Sequence, residues 1–136
     1  NFTHAATAES WSMSTTPLML LAAHKASLEI FAAAGFNQLL EKSRALSDYL
    51  FFTLNHINRQ KEKFAIITPQ QSNQRGCQVS ISLHRNAKAV FDTLMPLGIF
   101  ADWREPNVIR VAPVPLYNSF EEIFIFTDTL QQLLNA

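Results

Sequence analysis

The sequence predicts an α+β fold: a small antiparallel or mixed sheet of about four strands, with helices packed on one face and elements in the order ααββαββα. Three observations carry this reading. Apolar residues recur at helical spacing from Pro17 to Ile57, which gives two helices before any strand. Cys77 to Leu83 alternates apolar and polar residues, the pattern of a strand with one covered face. Two further short apolar runs flank Arg104-Glu105-Pro106-Asn107, a run of strong turn formers, and a capping box then opens a last helix.

Residues 1–16 are small and polar, without a period, and predict an irregular arm with Phe2, Trp11 and Met13 as anchors. Thr16-Pro17 opens the first helix, threonine as N-cap and proline at the first helical position. That helix, residues 17–34, is alanine-rich, carries Leu20, Leu21, Leu28 and Phe31, and stops at Gly35. Leu39, Leu40, Leu46, Leu50, Leu54 and Ile57 define the second helix, and residues 58–63 form a polar turn. Phe51 and Phe52 read as core packing, as do Phe124 and Phe126. Phe64 to Thr68 is a short strand ended by Pro69, and residues 70–76 form a loop.

Cys77, Val79, Ile81 and Leu83 form the covered face of the next strand. Asn86 caps a third helix with Ala87, Val90, Phe91 and Leu94 facing inward, and Pro96 and Gly98 end it. Ile99 to Trp103 and Val108 to Val111 are predicted strands. Residues 112–118 are expected to be extended, because each proline disfavours helix in the residue before it. Ser119 and Glu122 make the capping box of the last helix, lined inside by Phe120, Ile123, Phe124, Thr127, Leu130 and Leu134. No repeat or low-complexity linker divides the 136 residues, so one domain is expected.

With 11 basic and 11 acidic residues the formal net charge is zero, which gives no electrostatic reason to expect nucleic acid or an anionic membrane as partner. The longest apolar run, Pro17 to Ala23, is too short to span a bilayer. A single cysteine, Cys77, excludes an internal disulfide and a multi-cysteine metal site, and favours a reducing compartment. Asn1 to Ser10 has neither a basic start nor an apolar centre, so no signal peptide is expected there. The absence of a starting methionine suggests a segment of a longer polypeptide.

Taken singly, the reactive side chains form no recognisable constellation. His4, His24, His56 and His84 lack metal-ligand spacing, so no metal site is expected. Cys77 opens an apolar strand face and reads as an inert core thiol. Lysines 25, 42, 61, 63 and 88 all fall among polar or helix-surface residues, without the apolar setting that a Schiff-base lysine needs. Arg110 differs, because it lies inside an apolar strand between Ile109 and Val111. Alternation sends it to the opposite face from those two, where it is either a surface residue or a fixed clamp for an anion, its planar fork matching a carboxylate. Arg104, in the turn, reads as a solvated charge.

The run REPNVIRVAPVPLYNSFEE, residues 104–122, closely resembles the C-terminal signature of the kynureninases. KASLEIF (25–31), EKSRALSDYL (41–50) and ITPQQSNQRGCQVSISL (67–83, with its RGCQ motif) resemble further family stretches in the same order, so the resemblance covers essentially the whole chain. It implies the C-terminal small domain of a fold-type-I enzyme dependent on pyridoxal 5'-phosphate (PLP), with residues 17–34 as the helix linking it to a large PLP-binding domain absent from this chain. The implied activity of the full-length parent is hydrolysis of L-kynurenine, or 3-hydroxykynurenine, to the anthranilate and L-alanine. That places the parent in tryptophan catabolism and NAD biosynthesis, as a cytoplasmic homodimer.

By the resemblance Arg110 is the arginine that pairs with the substrate α-carboxylate, and Thr15 is close to cofactor or substrate. Ser14-Thr15-Thr16-Pro17 departs from the family's Ser-Asn-Pro-Pro, so a threonine hydroxyl stands in for an asparagine amide. The Schiff-base lysine is implied to lie upstream of Asn1, which leaves the isolated chain without activity. Two other readings are a stand-alone binding domain and a fragment of another PLP enzyme, such as a class V aminotransferase or a cysteine desulfurase. Cys77 is poorly placed to be the desulfurase nucleophile.

Overall fold

Leucines three and four residues apart wind the longest helix, and an alternating strand sets the sheet beside it; the remaining elements follow from these two. The structure is a computed structural model that describes residues 3–59 and 62–135. Its elements are α1 (Leu18–Ala34), α2 (Phe36–Asn58), β1 (Phe64–Ile66), β2 (Val79–Leu83), α3 (Ala87–Leu94), β3 (Asp102–Arg104), β4 (Val108–Val111) and α4 (Phe120–Asn135), with short 3-10 turns at Ala8–Trp11, Ser72–Gln74 and Met95–Leu97. This is the expected α+β order. The chain divides into two compact units, Asn1–Phe36 and Asn37–Ala136.

The first unit is the arm and α1. Helix α1 begins at Leu18, one residue later than expected, with Pro17 rather than Thr16 in the cap position and no side-chain cap. The proline carbonyl accepts the first helical bond, from Leu21 N at 3.0 Å. Gly35 ends the helix at φ 81°, where a side chain would be strained, and donates to the Phe31 and Ala32 carbonyls. None of its apolar residues is buried: Leu18, Met19, Leu20, Leu21, Leu28 and Phe31 are all exposed. Trp11 and Met13 do not anchor the arm either, being 86% and 101% exposed. A unit this small has too little chain to wrap its own apolar surface. Phe2 lies outside the described residues.

In the second unit the sheet order is β1-β2-β4-β3, with every neighbouring pair antiparallel. The register sets Ile66 opposite Ile81, Ile81 opposite Ile109, and Ile109 opposite Trp103. This row faces the core, where Val79, Ile81, Leu83 and Ile109 meet Leu46, Leu50, Phe51 and Leu54 of α2, Val90 and Leu94 of α3, and Ile123, Phe126 and Leu130 of α4. Burying each such side chain contributes about 1.5–3 kcal/mol, and the helices therefore stay on this face. The opposite face carries Ala65, Ser80, Ser82, Val108, Arg110, Asp102 and Arg104.

Several sequence expectations shift in this frame. Strand β2 starts at Val79, so half-buried Cys77 precedes it and is not part of its core face. The strand expected at Ile99–Trp103 is displaced to Asp102–Arg104, because a chain reversal occupies the residues before it. Gly98, at φ 79°, and Ile99 donate back to the Met95 and Leu94 carbonyls at 2.9 and 3.0 Å, a Schellman closure of the turn that follows α3. Asn86 is at the N-cap of α3 but in the left-handed region (φ 51°), with no side-chain cap bond. Phe52, Phe120 and Phe124 are exposed, whereas Phe51 and Phe126, one or two helical steps away, are buried. Residues 112–118 are extended only as far as Val114; the chain then turns, with Asn118 N donating to Val114 O at 2.8 Å and Asn118 Oδ1 accepting from Val114 N at 2.7 Å. Lys42 Nζ on α2 donates to Pro115 O at 2.8 Å and ties this turn down.

The capping box forms as expected. Ser119 Oγ accepts from Glu122 N at 3.2 Å, and Glu122 Oε2 accepts from Ser119 N at 2.7 Å. The Ser119 backbone N–H, helped by the Asn118 side chain, holds the Glu122 carboxyl below its ordinary value. A depressed carboxyl contributes stability that is complete above the unfolded pKa, about 4.3, and is lost as pH falls through the lower folded value. Glu122→Gln keeps an acceptor but does not titrate. Its urea midpoint should therefore fall less than wild type as pH is lowered from about 5 through the carboxylate range. Equal slopes for the two proteins would remove Glu122 from the acid response.

Candidate functional site

Two arginines of the second unit are fixed by the fold, in opposite ways. Arg75 lies in the loop before β2, just after the Ser72–Gln74 turn, and its side chain is only 4% exposed. Its Nε donates to Ser47 Oγ at 2.9 Å, Nη1 to the Pro69 carbonyl at 3.3 Å and to the Gln70 carbonyl, and Nη2 to Asp48 Oδ1. The guanidinium also lies 3.9 Å from the centroid of the Phe51 ring. Each of its nitrogens is used, so Arg75 pins the loop to α2 and leaves little for a ligand. Sequence reading assigned these residues to a loop, because the charge satisfies itself on groups up to 28 positions away.

Arg110 is different. Strand alternation turns it away from Ile109 and onto the uncovered face, where it is flanked by Ser80 of β2 and Asp102 of β3 in the register. Its side chain is 29% exposed. The Nε donates to Asp102 Oδ2 at 2.5 Å, and Nη2 is ion-paired with the same oxygen. Asp102 Oδ2 also accepts from Arg104 Nε at 3.0 Å. Arg104 is thus the last residue of β3 and not part of the turn, and it is paired with a carboxylate while remaining 58% exposed, the solvated charge expected of it. Partial removal from water pushes the Asp102 carboxyl up, but the Arg110 hydrogen bond and the two guanidinium charges outweigh it, so its pKa lies below the ordinary aspartate value.

Sequence reading missed Asp102 as part of this cluster. The signal was present in the symmetry of the hairpin: pairing Val108 with Arg104 forces Arg110 opposite Asp102. Placing the strand at residues 99–103 concealed it.

The other candidates are dispersed. Thr15 is exposed and belongs to the first unit, as do His4 and His24. His56 is exposed on α2, and His84 Nδ1 is 2.9 Å from the Glu62 carbonyl. Among the described residues no three metal-ligating side chains come together. Lys25 and Lys88 form i,i+4 ion pairs with Glu29 and Asp92, and Lys42 and Lys63 donate to the Pro115 and Leu134 carbonyls; Lys61 lies outside the described residues. A cavity of about 540 Å³ lies between the β4 end and α4, lined by Phe100, Val111, Pro113, Tyr117 and Phe126 among others, and does not include Arg110. No single helix is long and apolar enough to cross a membrane among the described residues.

Comparison with known proteins adds an independent finding. Residues 39–130 match the family model for the kynureninase C-terminal domain. Kynureninases of Flavobacterium psychrophilum and Homo sapiens are 44% and 42% identical over 126 and 131 residues, covering 92% and 91% of this chain. The chain spans about 30% of the length of these relatives. Among solved structures, a NifS-like protein aligns with a TM-score of 0.63 at 18% identity, covering 77% of this chain and 30% of its own. A C-DES mutant with glycine covalently linked to its PLP cofactor aligns with a TM-score of 0.57 at 17% identity, covering 70% of this chain and 24% of its own. These two show the fold.

Arg75 allows a direct test of its structural role. Arg75→Ala removes several charge-assisted hydrogen bonds from a side chain that is almost wholly buried, and should cost about 2–3 kcal/mol in urea unfolding. Asp48→Asn, at a half-exposed partner, should cost well under about 1 kcal/mol. Equal losses would mean that the ion pair, and not the carbonyl contacts, holds the loop.

Proposed function

The chain belongs to the kynureninase C-terminal domain family, and from that membership we propose that it is the carboxylate-binding wall of a PLP-dependent enzyme that hydrolyses L-kynurenine, or its 3-hydroxy form, to the corresponding anthranilate and L-alanine. Arg110 carries the reading. It is a guanidinium on the uncovered face of an otherwise apolar strand, already engaged by a carboxylate oxygen and flanked by small side chains. In the proposed role the substrate α-carboxylate is held by paired N–H donors of Arg110. Two such bonds fix both the position and the rotation of the amino acid, so that the bond to be broken is presented in one orientation.

The described residues do not by themselves fit as an anchor for PLP. Each described lysine is drawn into an ion pair or onto a backbone carbonyl, and none lies in a desolvated pocket. In this reading the cofactor is held by the remaining part of the longer protein, of which the chain spans about 30% in its relatives. Thr15, exposed before α1, is proposed to face the cofactor or substrate with its hydroxyl, and the full-length protein to work as a cytoplasmic homodimer.

Two outcomes test this. The isolated chain, given PLP, should show no borohydride-reducible visible band and should not release anthranilate from kynurenine. A stoichiometric band mapping to one lysine would overturn the division of labour. In the full-length enzyme, Arg110→Lys keeps the charge but loses the planar fork. Loss of a charge-assisted hydrogen bond, about 1.5–3 kcal/mol, should lower kcat/KM roughly ten- to a hundredfold. Arg85→Ala, at an exposed residue of the loop after β2, should leave it unchanged. Wild-type kcat/KM in Arg110→Lys would sink the clamp.

A further inference from the structure

A guanidinium offers two edges to a carboxylate: a side edge made of Nε and one Nη, and an end fork made of both Nη groups. In this structure Asp102 takes the side edge of Arg110. Nε donates to Asp102 Oδ2 at 2.5 Å, and Nη2 pairs with the same oxygen. Among the described residues Nη1 has no hydrogen-bond partner, and the side chain retains 29% exposure. The end fork is therefore open to the uncovered face of the sheet, in contrast to Arg75, whose two Nη groups are both used.

From this geometry we infer that Asp102 is a positioning residue for Arg110: it grips the side edge of the guanidinium and so aims the end fork at an incoming carboxylate. This rests on the clamp role of Arg110 proposed above. Asp102 is suited to the task by the sheet. It pairs directly with Arg110 in the β3–β4 register, on the same face, so the contact crosses a single strand spacing. The backbone sets the position of the aspartate. A second guanidinium, Arg104 two residues along the same strand face, holds the same oxygen at 3.0 Å and helps to keep the carboxylate in place. An arginine side chain carries about 2 kcal/mol of rotamer entropy. Gripping its side edge before binding means that less of this is lost when the ligand arrives. Asp102 does not compete with that ligand, because the two carboxylates use different edges.

The test is a double-mutant cycle in the full-length enzyme. Asp102→Ala should raise KM for kynurenine about tenfold, the scale of one lost charge-assisted contact, with kcat within about twofold and PLP content unchanged. Asp102→Asn retains an acceptor oxygen and should recover part of the loss. In the Arg110→Lys background, Asp102→Ala should add little, because the aspartate acts only through the arginine. In the isolated chain, the Arg110 Nε–H proton should exchange slowly with solvent, and fast in Asp102→Ala. If Arg110→Lys is impaired while Asp102→Ala has wild-type KM, the positioning role is wrong and the clamp stands. If the two losses add in full, Asp102 acts elsewhere and the inference fails. If Arg110→Lys itself is unimpaired, the underlying clamp reading has failed.

Discussion

The pairing of β2 with β4 is the constraint on which the rest of the second unit depends. It sets Ile81 against Ile109 on one face and Ser80 against Arg110 on the other. The side-chain period of a strand is two, so a slip of β4 by one residue would expose Ile109 and drive the guanidinium of Arg110 into a core of leucine and phenylalanine. Burying an unpaired charge costs far more than any single contact returns. The register is thus held from both faces, by what must be covered and by what must not. The position of Arg110 then follows, and with it the row Ser80–Arg110–Asp102.

Two arginines show how the same side chain acquires different duties. Arg75 is closed in, stacked on Phe51 and satisfied by Ser47, Asp48 and two backbone carbonyls. Its buried charge is tolerated because its donors find acceptors. Among the described residues Arg110 meets one oxygen only, on one edge, at the surface of the sheet. The difference is one of surroundings: Arg75 is enclosed by a loop and a helix, whereas Arg110 stands on the strand face opposite the helices that pack on the sheet within the second unit. An anion can reach the second and not the first.

The local features of the fold were legible in the sequence, since each is encoded within a few residues. Alternation around Val79, Ile81 and Leu83, helical spacing through Leu46, Leu50 and Leu54, and the Ser119–Glu122 capping box all appear in the structure. Boundaries were less legible. Cys77 continues the alternation in letters but precedes the ladder, and Ile99 to Ala101 look strand-like although the Schellman turn after α3 and its exit take up those positions. Aromatic residues misled for a similar reason. Phe51 and Phe52 are equally apolar, yet adjacent positions on a helix point about 100° apart, and only the packed direction is buried.

The sequence by itself determined the order of elements, the sign of charge at Arg110 and the face it occupies, because strand alternation and cap chemistry act over one to four residues. Only the tertiary structure decided that Asp102 meets Arg110 across eight positions, that Arg75 reaches Ser47 across 28, and that the leucines and Met19 of α1 remain exposed within their own unit. The physical reason is the range of the interactions. Periodicity is written into neighbouring residues, whereas an ion pair or a covered surface exists only once the strand register and helix packing have brought distant residues together.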